Sequence, residues 1–351
     1  FGNLKKNIDN VKLRLSYGSL GNQQVGYYDY IQTINTNGTM NYIFGDQKKG
    51  SYASVSDPNS ADLTWETVST WNVGLDLGFL NNRLNLTADA YVRDTKGMQT
   101  SGKKLPGAYG ANEPKQNAAN LRTKGWELML TWNDAFKLAN KPFRYNLSVG
   151  LADNTSEITK FDNPSKILSD YYVGQKLGDI WGYVVDGLFR TDEEAANYNV
   201  DQTAVNFVIN TAQVNPGLHA GDMKFVDLDG DHTISSGSNT ADDPGDRKII
   251  GNSLPRYTYS IQGGFDWYGF DFSIYLQGVG HQDWYPGTNS VFFWGPYARP
   301  YSSFIPRDFL SQVWSPENPD AYFPRPIGYL ALGNNRSLGV VNDRYLQNLA
   351  Y

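Results

Sequence analysis

The sequence contains no cysteine, which excludes a disulfide framework and a thiolate metal site, while leaving the compartment open. It also lacks any run of about 18 apolar residues, so a transmembrane helix is excluded; a membrane barrel escapes that test, since only every second residue of its strands must be apolar. Three histidines, His219, His232 and His281, stand in unrelated loop contexts. No Gly-x-Ser-x-Gly elbow, phosphate loop or His-Glu-x-x-His motif occurs, and acidic pairs such as Glu193-Glu194 read as solvated loop faces. Nothing here supports catalysis, and an outer-membrane hydrolase is disfavoured for want of a nucleophile constellation. A net charge of −6 argues against nucleic acid as the main partner. The opening Phe1-Gly2-Asn3-Leu4 carries no signal peptide. At the other end, Tyr345 to Tyr351 starts what reads as another strand and stops, so residues 1–351 are expected to be part of a longer chain.

What is present is glycine, aromatic residues and alternation. Aromatics make up 14% of the 351 residues and glycines number 35, a composition that suits strands, girdles and turns. From Arg256 to Gln277, Tyr257, Tyr259, Ile261, Gly263, Phe265 and Trp267 alternate with Thr258, Ser260, Gln262, Gly264 and Asp266. After Tyr268-Gly269, Phe270, Phe272, Ile274 and Leu276 return opposite Asp271, Ser273, Tyr275 and Gln277. Period-two alternation means a strand with one apolar and one polar face, and the two-residue glycine-containing link makes a hairpin. Tyr257 and Trp267 stand at the two ends of one face. At roughly 3.3 Å per residue and a tilt near 40°, their separation is about 25 Å along a barrel axis, the height of an outer-membrane apolar band. Tyr and Trp favour the rims of such a band because their bodies are apolar and their tips polar.

The same alternation appears at Val11 to Tyr17, Trp71 to Phe79, Leu84 to Val92, Trp126 to Trp132 and Phe143 to Leu151, with Asn81-Asn82 as a tight turn. Seven strands result, joined by a long segment (21–63), a short turn, a long segment (95–120), a moderate link (133–142), about a hundred residues, the Tyr268-Gly269 turn and a last long segment (281–343). In an up-and-down antiparallel sheet alternate links leave opposite ends, so the long segments share one rim and the short turns the other. That sorting is the outer-membrane barrel pattern; a Greek-key sandwich has no reason to produce it. The fold expected is therefore an all-β, antiparallel transmembrane β-barrel segment. Seven strands are too few to close a barrel, for which eight is the usual minimum.

Two loop constellations are candidates for binding. In Asp227-Leu228-Asp229-Gly230-Asp231-His232, carboxylates at alternate positions of a glycine-containing turn converge and suit a hard cation such as Ca²⁺. Asp227, Asp229 and Asp231 are the expected ligands, with Asp242, Asp243 or Asp246 completing a looser shell, Asp246 being the one chosen. The helix–loop–helix calcium pattern fails, because His232 and Ser238 stand where Gly and Glu are required. The competing reading is a solvated acidic turn capped by its own side chains. The second constellation is an aromatic crowd, Trp284, Tyr285, Phe292, Phe293, Trp294, Tyr297, Tyr301 and Phe304. Trp284, Tyr285, Trp294 and Tyr297 are candidate contacts to substrate or to a protein lid; the competing reading makes the crowd a small core that holds a long loop together. Lys12, Arg14 and Arg144 point to the polar face, where they tune passage or merely keep that face wet.

Several stretches resemble a known family. Leu13-Arg14-Leu15-Ser16-Tyr17-Gly18 with Gly21-Asn22-Gln23, and Leu63-Thr64-Trp65-Glu66 leading to Asn72-Val73-Gly74-Leu75-Asp76, are similar to SusC/RagA-type TonB-dependent transporters. So are Asn117 to Leu121 with Lys124-Gly125-Trp126-Glu127, and Trp314-Ser315-Pro316-Glu317-Asn318-Pro319-Asp320-Ala321 to Pro324-Arg325. Gly221 to Phe225, Asp227 to Asp231 and Asp246 to Asn252 resemble the family's long-loop signature, with an insertion between the halves and His232 in place of Gly. The resemblance implies a large outer-membrane barrel of a Gram-negative bacterium with an internal plug. It further implies opening by TonB, a SusD-like surface lipoprotein as cap, and import of oligosaccharides or peptides. On that reading this chain is the middle-to-late barrel, contacting outer-membrane lipid, with plug, TonB-contacting segment and final strands lying elsewhere. The alternative is an extracellular glycan-binding β-sandwich displaying the aromatic loop.

Overall fold

In the computed structural model, the described residues are 8–22, 31–45, 48–60, 63–101, 106–205, 217–298, 305–326 and 338–351. Gln23, Tyr301 and Phe304, singled out above, lie outside them, as do Phe1 to Leu4. The chain divides into two compact units. One comprises Phe1–Pro164, Tyr171–Lys176 and Tyr259–Gln277; the other comprises Ser165–Asp170, Leu177–Thr258 and Gly278–Tyr351.

All seven expected strands join one sheet. In chain order the strands are β1 (Ile8–Asn22), β2 (Ile34–Phe44), β3 (Lys48–Val55), β4 (Glu66–Phe79), β5 (Leu84–Ser101), β6 (Lys115–Leu138) and β7 (Lys141–Lys160). Then come β8 (Asp179–Tyr183), β9 (Val185–Leu188), β10 (Met223–Phe225), β11 (Arg247–Asn252), β12 (Arg256–Trp267), β13 (Phe270–His281), β14 (Asp283–Trp284) and β15 (Gln347–Asn348). The large sheet runs β1-β4-β5-β6-β7-β12-β13, each strand beside its neighbour in sequence apart from the long insertions. β2 and β3 form a separate hairpin inside the first long segment.

The short turns explain the tight links. Ala139 and Asn140 both have positive φ, as do Tyr268 and Gly269, the arrangement that matches the twist of the strands it joins. Leu80, Asn81 and Asn82 are likewise left-handed between β4 and β5. The moderate 133–142 link is a correction: β6 continues to Leu138 and the connection is two residues. Phe136 pairs with Phe143 across it, their rings 5.0 Å apart, so the apolar pattern extends where Asn133-Asp134 suggested a break. The 95–120 loop is also shorter than expected, because polar pairs such as Gln99 with Asn117 prolong β5 and β6.

Register puts every apolar column on one face. Leu13 faces Leu75, Leu75 faces Ala88, Ala88 faces Leu128 and Leu128 faces Leu151. These residues face no second protein layer among the described residues: Leu15 is 72% exposed, and Val11, Val73, Leu130, Val149, Phe272 and Ile274 are exposed too. Transferring a large apolar side chain out of water is worth roughly 1.5–3 kcal/mol, so leaving even ten in water forfeits about 15–30 kcal/mol, beyond the net stability of a typical domain at about 5–15 kcal/mol. Such a face needs an apolar solvent. Aromatic pairs mark its ends: Tyr17 on Trp71 at 4.6 Å near the long segments, and Phe143, Phe265 and Phe272 stacked at 5.4 Å intervals near the short turns.

Candidate functional site

The polar face of the sheet is paved with side chains laid sideways. Arg14 reaches across Gly74 with its guanidinium bidentate to Asp76 at 3.0 Å and contacting Asp89 at 2.7 and 3.0 Å. A Cβ on Gly74 would lie 2.6 Å from the guanidinium carbon, so glycine makes the bridge of three strands sterically possible. The same device recurs where Tyr91 lies over Gly125 and Met129 over Gly150. Arg14 is thus tied into the wall, whereas Arg144 stays open to solvent at 3.9 Å from Asp266. A groove of about 680 Å³ at the short-turn end is lined by Arg144, Asn146, Gln262, Asp266 and Ser273, among others.

The second unit builds its order from loops. β8 pairs with β11, β9 with β10 and β14 with β15. Gln202, 1% exposed, donates to the Met223 carbonyl and accepts from the Phe225 amide, closing the free edge of β10. Asn342, fully buried, donates to the Tyr285 hydroxyl and to the Val340 carbonyl.

Aromatic rings fill the core. Trp294 is 0% and Tyr297 1% exposed, packed with Phe309, Phe323 and Tyr345. Phe323 and Tyr345 stack 5.8 Å apart, and the Trp294 indole donates to the Gly287 carbonyl. Burial raises the hydroxyl pKa values of Tyr285, Tyr297 and Tyr345 well above the ordinary tyrosine value. The expected contact residues therefore divide. Trp294 and Tyr297 are buried packing residues with no surface for a ligand, and Tyr285 is held by the segment around Leu338 and Val340. Trp284 keeps an exposed flank, and Phe292 is 99% exposed. Tyr345, expected to begin another barrel strand, is wholly buried in this loop core instead.

The acidic loop gathers three of its four expected ligands. Asp227, Asp229 and Asp246 bring carboxylate oxygens within 4.8 Å of one another. Asp231 turns away and accepts from the Thr233 amide at 2.7 Å. The intervening backbone explains how Asp246 arrives from 17 residues beyond Asp229: its carboxylate accepts the amides of Leu228 and Ser235, both at 2.7 Å, which folds the insertion back onto the turn. Burial pushes the Asp246 carboxyl above its ordinary value; the two amides oppose this, while Asp229 and Asp227 push it further up. His232 adopts φ 65°, a left-handed position that glycine fills more easily. Its amide donates to Asp227 at 2.9 Å, so the turn geometry survives without the glycine. An all-carboxylate donor set with unused lone pairs suits a hard, oxygen-seeking cation.

A sheet with one face made for lipid, one paved polar face and sorted connections defines a segment of a transmembrane β-barrel. A sequence model of the TonB-dependent receptor-like β-barrel matches residues 4–303, and the chain belongs to that family. It is 31% identical over 282 residues to the TonB-dependent receptor SusC of Bacteroides thetaiotaomicron, covering 77% of this chain and 25% of SusC. It is 28% identical over 290 residues to TonB-dependent receptor P39 of Formosa agariphila, covering 76% and 26%. The RagAB peptide transporter structure superposes with a TM-score of 0.65 at 19% identity, over 98% of this chain and 33% of that one. The SusC/RagA-type resemblance drawn from the motifs is thus upheld, and the chain spans about a quarter of the length of these curated relatives.

Proposed function

We propose that the whole protein imports nutrients across the outer membrane of a Gram-negative bacterium in a TonB-dependent manner, this chain supplying barrel wall and extracellular loops. The observation that carries the reading is the apolar face, in register from β1 to β7 and exposed at Leu15, Val73, Leu130 and Val149, backed by a polar face on which Arg14 is paired with Asp76 and Asp89. The cargo is an oligosaccharide or a peptide. A SusD-like surface lipoprotein is the partner on the side of the long loops, and the TonB complex acts through a plug segment outside these residues. In this proposal Trp284 and Phe292, both exposed, are residues of the aromatic loop that meet cargo or lipoprotein. Uptake of labelled oligosaccharides and labelled peptides by cells with and without the intact transporter tests this. Loss of uptake of one class on deletion is expected, and unchanged uptake of both would overturn it.

The loop carboxylates Asp227, Asp229 and Asp246 form a Ca²⁺ site in this proposal, with Asp231 outside it. Calorimetric titration of Ca²⁺ into the full-length protein should lose its heat in Asp229→Ala and keep it in Asp231→Ala. Indistinguishable traces for wild type and Asp229→Ala would remove the ion.

A further inference from the structure

The lipid-facing side has one feature that hydrophobic matching alone does not require. At its short-turn rim the β6–β7 and β12–β13 turns lie side by side, joined by the Trp267 indole, which donates to the Leu138 carbonyl at 3.3 Å. Lys141 begins β7 opposite Leu138, on the same strand face as Phe143. Its ammonium lies 5.3 Å from the centre of the Tyr268 ring. Tyr268, Phe270, Phe136 and Leu138 are all exposed around it. Among the described residues, no carboxylate pairs with Lys141, and the nearby Asp266 is taken up by Arg144 on the polar face at 3.9 Å. The Tyr268 hydroxyl has no hydrogen-bond partner among those residues either.

An ammonium at the edge of an apolar band reaches up to the headgroup level while its stem stays among acyl chains. A cation–π contact at an exposed ring is weak and leaves the positive charge uncompensated. The remaining donors form a consistent set: the Lys141 ammonium and the Tyr268 phenol hydroxyl, above exposed aromatic rings that lie along lipid tails. Resting on the barrel reading above, we infer that the paired β6–β7 and β12–β13 turns bind the headgroup phosphate of a phospholipid, with Lys141 as the principal donor and Tyr268 beside it. The partner is fixed by charge complementarity and by the apolar face that continues directly from the site.

The full-length protein in phosphatidylglycerol nanodiscs, released for native mass spectrometry, provides the test. Wild type is expected to retain phosphatidylglycerol, Lys141→Gln to lose at least threefold of that retention, and Lys141→Arg to keep it. Lys12→Gln, on the polar face, should match wild type. Retention of phosphate-free diacylglycerol should be no greater in wild type than in Lys141→Gln, and millimolar inorganic phosphate should not displace the lipid. Equal phosphatidylglycerol retention by wild type and Lys141→Gln would overturn the inference, as would equal retention of diacylglycerol and phosphatidylglycerol, or displacement by inorganic phosphate. Failure of the protein to enter nanodiscs at all would instead overturn the barrel reading, so the two failures are told apart.

Discussion

Adjacent glycines in β12 show how much a single Cβ decides. Gly264 lies against the Phe272 carbonyl of β13: a Cβ there would be 2.8 Å from that backbone oxygen and 3.0 Å from the Asn146 side-chain oxygen. Gly263, on the lipid side, would place its Cβ 3.7 Å from Ile274, an ordinary contact. Gly264→Ala should therefore cost about 1–3 kcal/mol as overpacking, while Gly263→Ala should be close to neutral. Thermal melts of the two full-length variants in detergent measure the contrast. The alternation pattern assigns the two glycines to opposite faces, but it cannot tell which one has a carbonyl beneath it. Arg14 teaches the same lesson: its place on the polar face is legible, and its capture by Asp76 and Asp89 needs the register.

At the scale of elements, the long connections brace each other. The Asp57 carboxylate, between β3 and β4, accepts the Asn112 side-chain amide at 2.8 Å and its backbone amide at 3.1 Å, from the link between β5 and β6. These two bonds hold the Asp57 carboxyl below its ordinary value, with burial opposing weakly. A depressed folded value means the contribution is fully present above the ordinary carboxylate value and is lost as pH falls through the depressed one. Spin labels at Ser60 and Gly110 should therefore report a longer inter-loop distance on acidification below about pH 4. Asp57→Ala should show the long distance already at neutral pH, and an unchanged distance in that variant would refute the clasp. The aromatic crowd was readable as a contact surface or, more often the case for such crowds, as a loop core. Packing resolves it for Trp294 and Tyr297, because their partners Phe309, Phe323 and Tyr345 come from segments well apart in the chain.

For the molecule as a whole, the solvent of the sheet face is the decisive quantity. Leu15 and Ser16 are neighbours in β1 on opposite faces. An arginine at Leu15 has to enter hydrocarbon and should cost about 2–4 kcal/mol near the bilayer midplane, whereas Ser16→Arg enters a polar, wet face and should be tolerated. Folding titrations of the full-length variants into lipid vesicles measure the difference; equal penalties would contradict the assignment of faces. A β-sandwich would reverse the picture, since Leu15 would then meet a second sheet, and none is found among the described residues.

The sequence by itself determined the seven strands, which face of each is apolar, the sorting of long and short connections, and the family, because strand faces follow from a two-residue period and tight turns from local backbone preference. It placed Asp227, Asp229, Asp231 and Asp246 as candidate ligands as well. Tertiary structure alone decided that Asp231 turns away, that Trp294 and Tyr297 are buried, that Tyr345 closes a loop core, and that Lys141 stands beside Tyr268. Each of those depends on a contact between residues with no periodic relation in the chain, and only the folded path of the backbone sets such a distance.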